Sequence, residues 1–263
     1  MVSGPVRLGV VSYLNAEPLV FGLERDPGFV LVRDLPARIA SLLSAGEVDL
    51  GMIPSAAYAD GDYAIVPGVA IASRGPVRSV RVYHRGPLAD VCRVALDTSS
   101  RTSVVLARVL LREMLGREPV YVAAPPDLDA MLAQADAALM IGDPALYHPA
   151  GVPSVDLGEE WTRRTGLPFV YAFWAGPAGA VDPPAVARLQ EALRQGLGAL
   201  PTIAASYNGH GAHRGALNES YLRANIHYGF GAEEQAGLRE FYRRAHASGL
   251  LPNVPELRFH ADR

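Results

Sequence analysis

Gly46-Glu47-Val48-Asp49-Leu50-Gly51-Met52-Ile53, running into Pro54-Ser55-Ala56-Ala57-Tyr58, has a counterpart later in the chain. There, Ala135-Asp136-Ala137-Ala138-Leu139-Met140-Ile141 runs into Gly142-Asp143-Pro144-Ala145-Leu146-Tyr147. Each stretch places an acidic residue ahead of a short apolar run, the pattern of a buried strand, and ends in a polar turn. Each is preceded by apolar spacing of helical period, Ala37 to Ala45 and Leu128 to Ala135. The likeness continues upstream: Val10-Val11-Ser12-Tyr13-Leu14-Asn15 and Ala95-Leu96-Asp97-Thr98-Ser99-Ser100 both pass from strand to polar loop ahead of a helix. Two similar α/β lobes follow from this loose repeat.

Working outward, strands are predicted at Leu8 to Val11, Phe29 to Val32, Val94 to Leu96 and Val120 to Val122. Helices are predicted at Thr102 to Leu115, at Pro184 to Leu200 behind the Asp182-Pro183-Pro184 start signal, and at Glu233 to Ser248, closed by Gly249. Alternating elements of this kind predict mainly parallel sheets. Ligands of open α/β sheets sit beyond the carboxyl ends of the strands, so the loops at Ser12 to Asn15, Pro54-Ser55, Asp97 to Thr102 and Gly142-Asp143 are expected to face one cleft. Two extended segments, Val77 to Tyr83 and Phe169 to Trp174, read as connections between lobes. The expected first lobe is 1–88 plus 175–263, and the expected second lobe is the insertion 89–174.

Composition narrows the chemistry. The chain has 263 residues, 49% hydrophobic and 19% charged, which demands a substantial core. All 24 basic residues are arginine. Without lysine, Schiff-base chemistry and a Walker-type phosphate loop are excluded. A net charge of −3 argues against a nucleic-acid partner. The single cysteine, Cys92, excludes an intrachain disulfide and a cysteine-rich metal site. The first apolar run is too short for a secretory segment, and the longest uncharged stretch, Gly166 to Val181, is broken by prolines and glycines. A cytoplasmic protein with no membrane partner is the expectation, and oligomeric state is left open.

The densest chemical signal is Thr98-Ser99-Ser100-Arg101-Thr102-Ser103 ahead of an apolar helix. One hydroxyl suffices to cap a helix, and the surplus hydroxyls together with the free N–H groups of the first turn suit an anion such as a carboxylate. Ser12, Tyr13 and Asn15 form the matching loop of the first lobe, where Asn15 reads either as a helix N-cap with Pro18 in the first turn or as a ligand-binding amide. Ser55 and Asp143 occupy the turns after the two repeated strands. Ser79 lies in an extended segment opposite its apolar neighbours. His210 and His213 lack a third ligand at useful spacing, so a surface loop is favoured over a metal site. Asn218-Glu219-Ser220 is formally a glycosylation sequon. Trp161, Phe173, Trp174, Tyr221, Tyr228 and Phe230 are expected to be core or lobe-packing aromatics.

Taken together, Ser12-Tyr13-Leu14-Asn15-Ala16-Glu17-Pro18-Leu19, Ser99-Ser100-Arg101-Thr102-Ser103, Ile141-Gly142-Asp143-Pro144-Ala145-Leu146 and Gly166 to Ala175 resemble the MqnA family, the chorismate dehydratases of the futalosine route to menaquinone. The resemblance covers nearly the whole chain. It implies a type II periplasmic-binding-protein fold, with conversion of chorismate to 3-[(1-carboxyvinyl)oxy]benzoate by loss of water and no cofactor or metal. Asn15 and Ser79 match positions around the reacting ring, with Ser12, Tyr13, Ser55, Thr98, Ser99, Ser100, Arg101, Thr102 and Asp143 as the implied substrate-binding set. The sister enzymes that form 1,4-dihydroxy-6-naphthoate share the fold but show a Ser-Pro-Cys-Pro-Asn-Asp type motif where this chain has Ser12-Tyr13-Leu14-Asn15. A non-catalytic binding module for a small carboxylate would use the same cleft, but the chain shows no helix-turn-helix pattern or output domain.

Overall fold

The computed structural model describes residues 4–149, 151–208 and 214–260. Two five-stranded sheets carry the fold. The first is built from β1 (Val6–Val11), β2 (Phe29–Asp34), β3 (Leu50–Pro54), β4 (Tyr63–Ser73) and β10 (Phe169–Pro177), in the order β2-β1-β3-β10-β4. The second holds β5 (Val80–His84), β6 (Arg93–Asp97), β7 (Val120–Ala124), β8 (Ala137–Ile141) and β9 (Ser154–Asp156), in the order β7-β6-β8-β5-β9. Position by position the two orders correspond, with β1 matching β6 and β3 matching β8, so the repeat seen in the sequence is a repeat of topology. The sheets are mixed rather than mainly parallel. The β1, β2 and β3 trio and its counterpart pair in parallel, whereas β10 and β5 run antiparallel to both of their neighbours.

The acidic residue that opens each repeated strand has the same physical task in both lobes. Asp49 Oδ2 accepts the Arg7 N–H at 2.8 Å while the Asp49 N–H donates to Arg7 O at 2.9 Å. Asp136 Oδ2 accepts the Arg93 N–H at 2.8 Å while its N–H donates to Arg93 O at 3.0 Å. Each carboxylate thus accepts a backbone amide near the start of the neighbouring parallel strand, β1 or β6, and so ties the two strand ends together. Hydrogen bonds from the Arg7 side chain in one case, and from the Cys92 and Arg93 amides in the other, hold both carboxyls below their usual range.

The expected lobe borders at 88 and 175 each put one strand on the wrong sheet. Val80–His84 pairs with β8 and belongs to the second sheet, and Phe169–Pro177 lies between β3 and β4 in the first. Both segments are interior strands with a neighbour on each side, and only the identity of those partners decides which sheet they complete. The chain therefore crosses between lobes at 74–79 and again at 157–168.

Helices start where side chains accept their free amides. Ser100 caps α2 (Arg101–Leu115), Asp127 caps α3 (Leu128–Gln134), Asp156 caps α5 (Leu157–Thr165) and Asp182 caps α6 (Pro183–Gly198). After α6 come α7 (Leu200–Ser206), α8 (Gly215–Ala224) and α9 (Ala232–Ala247). Trp161, Phe169 and Phe241 pack edge to face, with ring centroids 5.0 to 6.3 Å apart, where α5, β10 and α9 meet. The aromatics read as core are buried, from Trp161 at 0% exposure to Phe230 at 4%. No helix among the described residues is long and apolar enough to cross a membrane.

Candidate functional site

Four loops at the carboxyl ends of the strands meet between the lobes. Val11, Tyr13 and Asn15 follow β1, Pro54 ends β3, Ser100 and Ser103 begin α2, and Ile141 and Gly142 follow β8. With Pro36, Ile71, Val77, Ser79, Val80, Tyr171 and Ala172 they enclose a cavity of about 40 Å³. That is room for little more than ordered water, so the space between the lobes as it stands is too small for a ligand.

Asn15 lies inside a 3-10 turn, Leu14–Leu19, whose cap position is Tyr13 with no side-chain cap bond. The N-cap reading of Asn15 therefore fails. Its carboxamide leaves the turn instead: Nδ2 donates to the Tyr221 hydroxyl at 3.2 Å, and Oδ1 is buried with no hydrogen-bond partner. The Tyr221 hydroxyl is also 2.7 Å from Ser79 Oγ. Tyr228, from the chain after α8, donates to the Asn15 carbonyl at 3.1 Å. Asn15 and Ser79, distant in sequence, thus share one tyrosine.

Ser79 owes its place to a strained turn. Arg78 has φ +64°, the single positive φ outside glycine among the described residues. Asp156 holds this turn, accepting the Val77 and Arg78 amides at 3.0 and 2.6 Å while also accepting those of Gly158 and Glu159 at the head of α5. A left-handed arginine is costly and persists where its surroundings over-determine it.

The hydroxyl-rich segment divides its labour. Ser100 caps α2 and, with Ser103, lines the cavity; Ser103 Oγ donates to Ser100 Oγ at 3.2 Å. Thr102 and Ser55 are fully buried and join the lobes, with Thr102 Oγ1 accepting the Ala56 N–H at 2.9 Å and lying 3.3 Å from Ser55 Oγ. The Ser99 carbonyl accepts the Ala37 N–H, and its Oγ lies 3.4 Å from the Tyr13 hydroxyl. Burial pushes the Tyr13 phenol up to about 12. Asp143, 2% exposed, accepts the Leu14 N–H at 3.2 Å and the Tyr207 hydroxyl, so it too binds lobe to lobe.

Three expected binding residues lie elsewhere. Ser12 is exposed and faces an outer cleft of about 650 Å³ with Glu17, Arg25 and Arg33. Thr98 is exposed. Arg101 turns outward and pairs with Asp60. The outer cleft is larger than the cavity between the lobes, but Arg33 there is already paired with Glu17 and Glu24, and the strand-end loops converge elsewhere. Asn218 is 1% exposed, donates to Ala204 O at 3.1 Å and accepts from the Tyr147 hydroxyl at 2.9 Å, which leaves the sequon no accessible amide. His210 and His213 fall outside the described residues.

Sequence reading misses Tyr221 and Tyr171 as site residues, names Ser103 only as part of the hydroxyl-rich segment, and does not single out Asp97. Tyr221 was read as a packing aromatic, and its ring is packed; only its hydroxyl reaches the site. Asp97, 1% exposed at the end of β6, accepts the Ser99 N–H at 2.9 Å through Oδ1, and burial raises its pKa against the opposing hydrogen bonds of Ser99 and the Ile141 backbone. Among the described residues no group of three or more His, Cys, Asp or Glu side chains is placed to hold a metal.

A family model described as menaquinone biosynthesis matches residues 6–247. The chain belongs to the menaquinone-biosynthesis family. A curated relative in keeping with that family, the chorismate dehydratase of Thermus thermophilus, is 35% identical over 268 residues, 94% of this chain and 96% of that one. Among solved structures, a protein from Archaeoglobus fulgidus superposes with a TM-score of 0.74 at 18% identity, covering 95% of this chain and 100% of the other. The periplasmic aliphatic sulphonate binding protein SsuA of Escherichia coli gives 0.63 at 19% identity, covering 98% and 94%. These likenesses give this member of the menaquinone-biosynthesis family a two-lobed, periplasmic-binding-protein-like fold.

Proposed function

We propose that this chain is a chorismate dehydratase, a hydro-lyase that converts chorismate to 3-[(1-carboxyvinyl)oxy]benzoate and water in the cytoplasm. The observation that carries the reading beyond the family match is the pair Asn15 and Ser79, brought together from separate segments at the cavity between the lobes in a chain 35% identical to a chorismate dehydratase. The chemistry asks little of a protein. The C–H on the ring carbon that bears the enolpyruvyl ether is vinylogous to the ring carboxylate, so the carbanion formed there is delocalised, and loss of the neighbouring hydroxyl gives an aromatic ring. Orientation and polarisation then supply most of the rate.

The residues divide accordingly. The head of α2, with Ser100 and Ser103, holds one carboxylate through hydroxyl and backbone N–H groups, the substitute for lysine in this chain. Asn15 and Ser79 address the reacting ring, and among the described residues no histidine lines the cavity, so the substrate's own enolpyruvyl carboxylate takes the ring proton. Ligand pockets usually measure about 300 Å³ or more. The lobes therefore part to admit chorismate, and the bonds from Thr102 and Asp143 to the first lobe are those that open.

Incubation of the purified protein with chorismate alone, followed by loss of diene absorbance and by product mass, tests the reading. A product lighter by one water, formed after exhaustive chelation, is expected. Chorismate bound but unchanged would return the chain to a binding module.

A further inference from the structure

Counting protons around Tyr221 gives a direction to the site. A carboxamide NH₂ only donates, so the Tyr221 oxygen accepts from Asn15 Nδ2 at 3.2 Å. Burial raises the Tyr221 phenol pKa far above neutral pH, so the phenol keeps its proton. Among the described residues that proton has one acceptor within reach, Ser79 Oγ at 2.7 Å. If Ser79 donated instead, the Tyr221 proton would be buried with no acceptor among the described residues, the costlier arrangement. Tyr221 therefore donates to Ser79. The Ser79 hydroxyl has no other partner among the described residues, and Ser79 lines the cavity, so its proton is available there. Asn15 lines the same cavity, and its buried Oδ1 is an acceptor that meets no donor among the described residues. Tyr228, donating to the Asn15 carbonyl, fixes the other end of that residue.

One donor beside one acceptor is the complement of a hydroxyl group, which both accepts and donates. We propose that Tyr221 is a positioning residue that turns Ser79 Oγ–H and Asn15 Oδ1 toward a hydroxyl of the substrate. On the dehydratase reading, on which this inference rests, it is the ring hydroxyl that departs. As its C–O bond breaks, the electron pair leaves on oxygen and the C–H pair becomes the new ring double bond. The ring proton, carried by the substrate's carboxylate, and the departing hydroxide make up the water lost. Ser79 stabilises the developing charge by a hydrogen bond and undergoes no net proton transfer.

A double-mutant cycle on chorismate turnover tests the relay. Tyr221→Phe is expected to fold, to lower kcat by about tenfold to a hundredfold with KM little changed, and to cost less than about twofold more in a Ser79→Ala background, because the two act as one unit. Wild-type kcat in Tyr221→Phe, or the same fold loss with and without Ser79, overturns the proposal. Absence of turnover by the wild type defeats the dehydratase reading instead. The relay is then judged in the ligand-free protein, where the Asn15 carboxamide protons are expected to lose protection from exchange in Tyr221→Phe; unchanged protection overturns it. If Tyr221→Phe does not fold, Ser79→Ala carries the test through the NMR signal of the Tyr221 hydroxyl proton, which must shift for the proposal to stand.

Discussion

The backbone of Gly142, in the second lobe, lies against the ring of Tyr13, in the first. A Cβ at Gly142 would come within 2.6 Å of Tyr13 Cε2 and Cζ, and Gly142 has φ +66°. Each fact alone favours glycine; together they make this contact a gauge of how far the lobes approach.

Gly142→Ala is therefore expected to lower stability by about 1 kcal/mol or more from the left-handed backbone alone, and in addition to push Tyr13 away. Small-angle scattering should show a larger radius of gyration than wild type, and KM for chorismate should rise. An unchanged radius of gyration at wild-type KM would mean that the Tyr13 ring yields without parting the lobes.

Asn15 supplies no helix cap, so its replacement should affect chemistry more than folding. Asn15→Ser removes both the Nδ2 bond to Tyr221 and the buried Oδ1 acceptor. The expected result is a melting temperature close to wild type with kcat reduced by about a hundredfold. Wild-type kinetics would remove Asn15 from the site.

Asp97 predicts a pH dependence. Burial raises its folded pKa, with the Ser99 N–H acting in the opposite sense. The native state then keeps this proton to higher pH than the unfolded chain, whose Asp titrates near about 3.9. Stability from this group is full below that value and falls as pH rises through the folded pKa. In urea unfolding from about pH 4 upward, the stability of Asp97→Asn relative to wild type should increase with pH and then level off. A difference independent of pH would contradict the buried, charged assignment.

The turn before Ser79 gives opposed predictions for its two supports. Arg78→Gly relieves a left-handed residue and should leave stability unchanged or raise it by about 1 kcal/mol, with turnover retained. Asp156→Ala leaves four backbone amides without their acceptor and should cost about 2–4 kcal/mol. It should also lower kcat through Ser79. Chemical denaturation and steady-state kinetics on the two variants decide the matter, and full activity in Asp156→Ala would show that Ser79 needs no such support.

What the sequence determined by itself was local and periodic. Asp49 and Asp136 each open a strand, helices run from about Thr102 and Leu128 and begin behind Asp182, and the motif loops lie at strand ends, because apolar period and start signals are properties of a few adjacent residues. Tertiary structure alone decided which sheet Val80–His84 and Phe169–Pro177 complete, since nothing in either segment's own residues names its partner strands. It also decided that Thr102 and Asp143 join the lobes, that Ser12, Thr98 and Arg101 face outward, and that Tyr221 meets Asn15 and Ser79. Contacts between residues 142 and 206 positions apart leave no trace in composition or spacing. They exist because the two folded lobes and helix α8 place two polar groups, Asn15 Nδ2 and Ser79 Oγ, around one tyrosine oxygen.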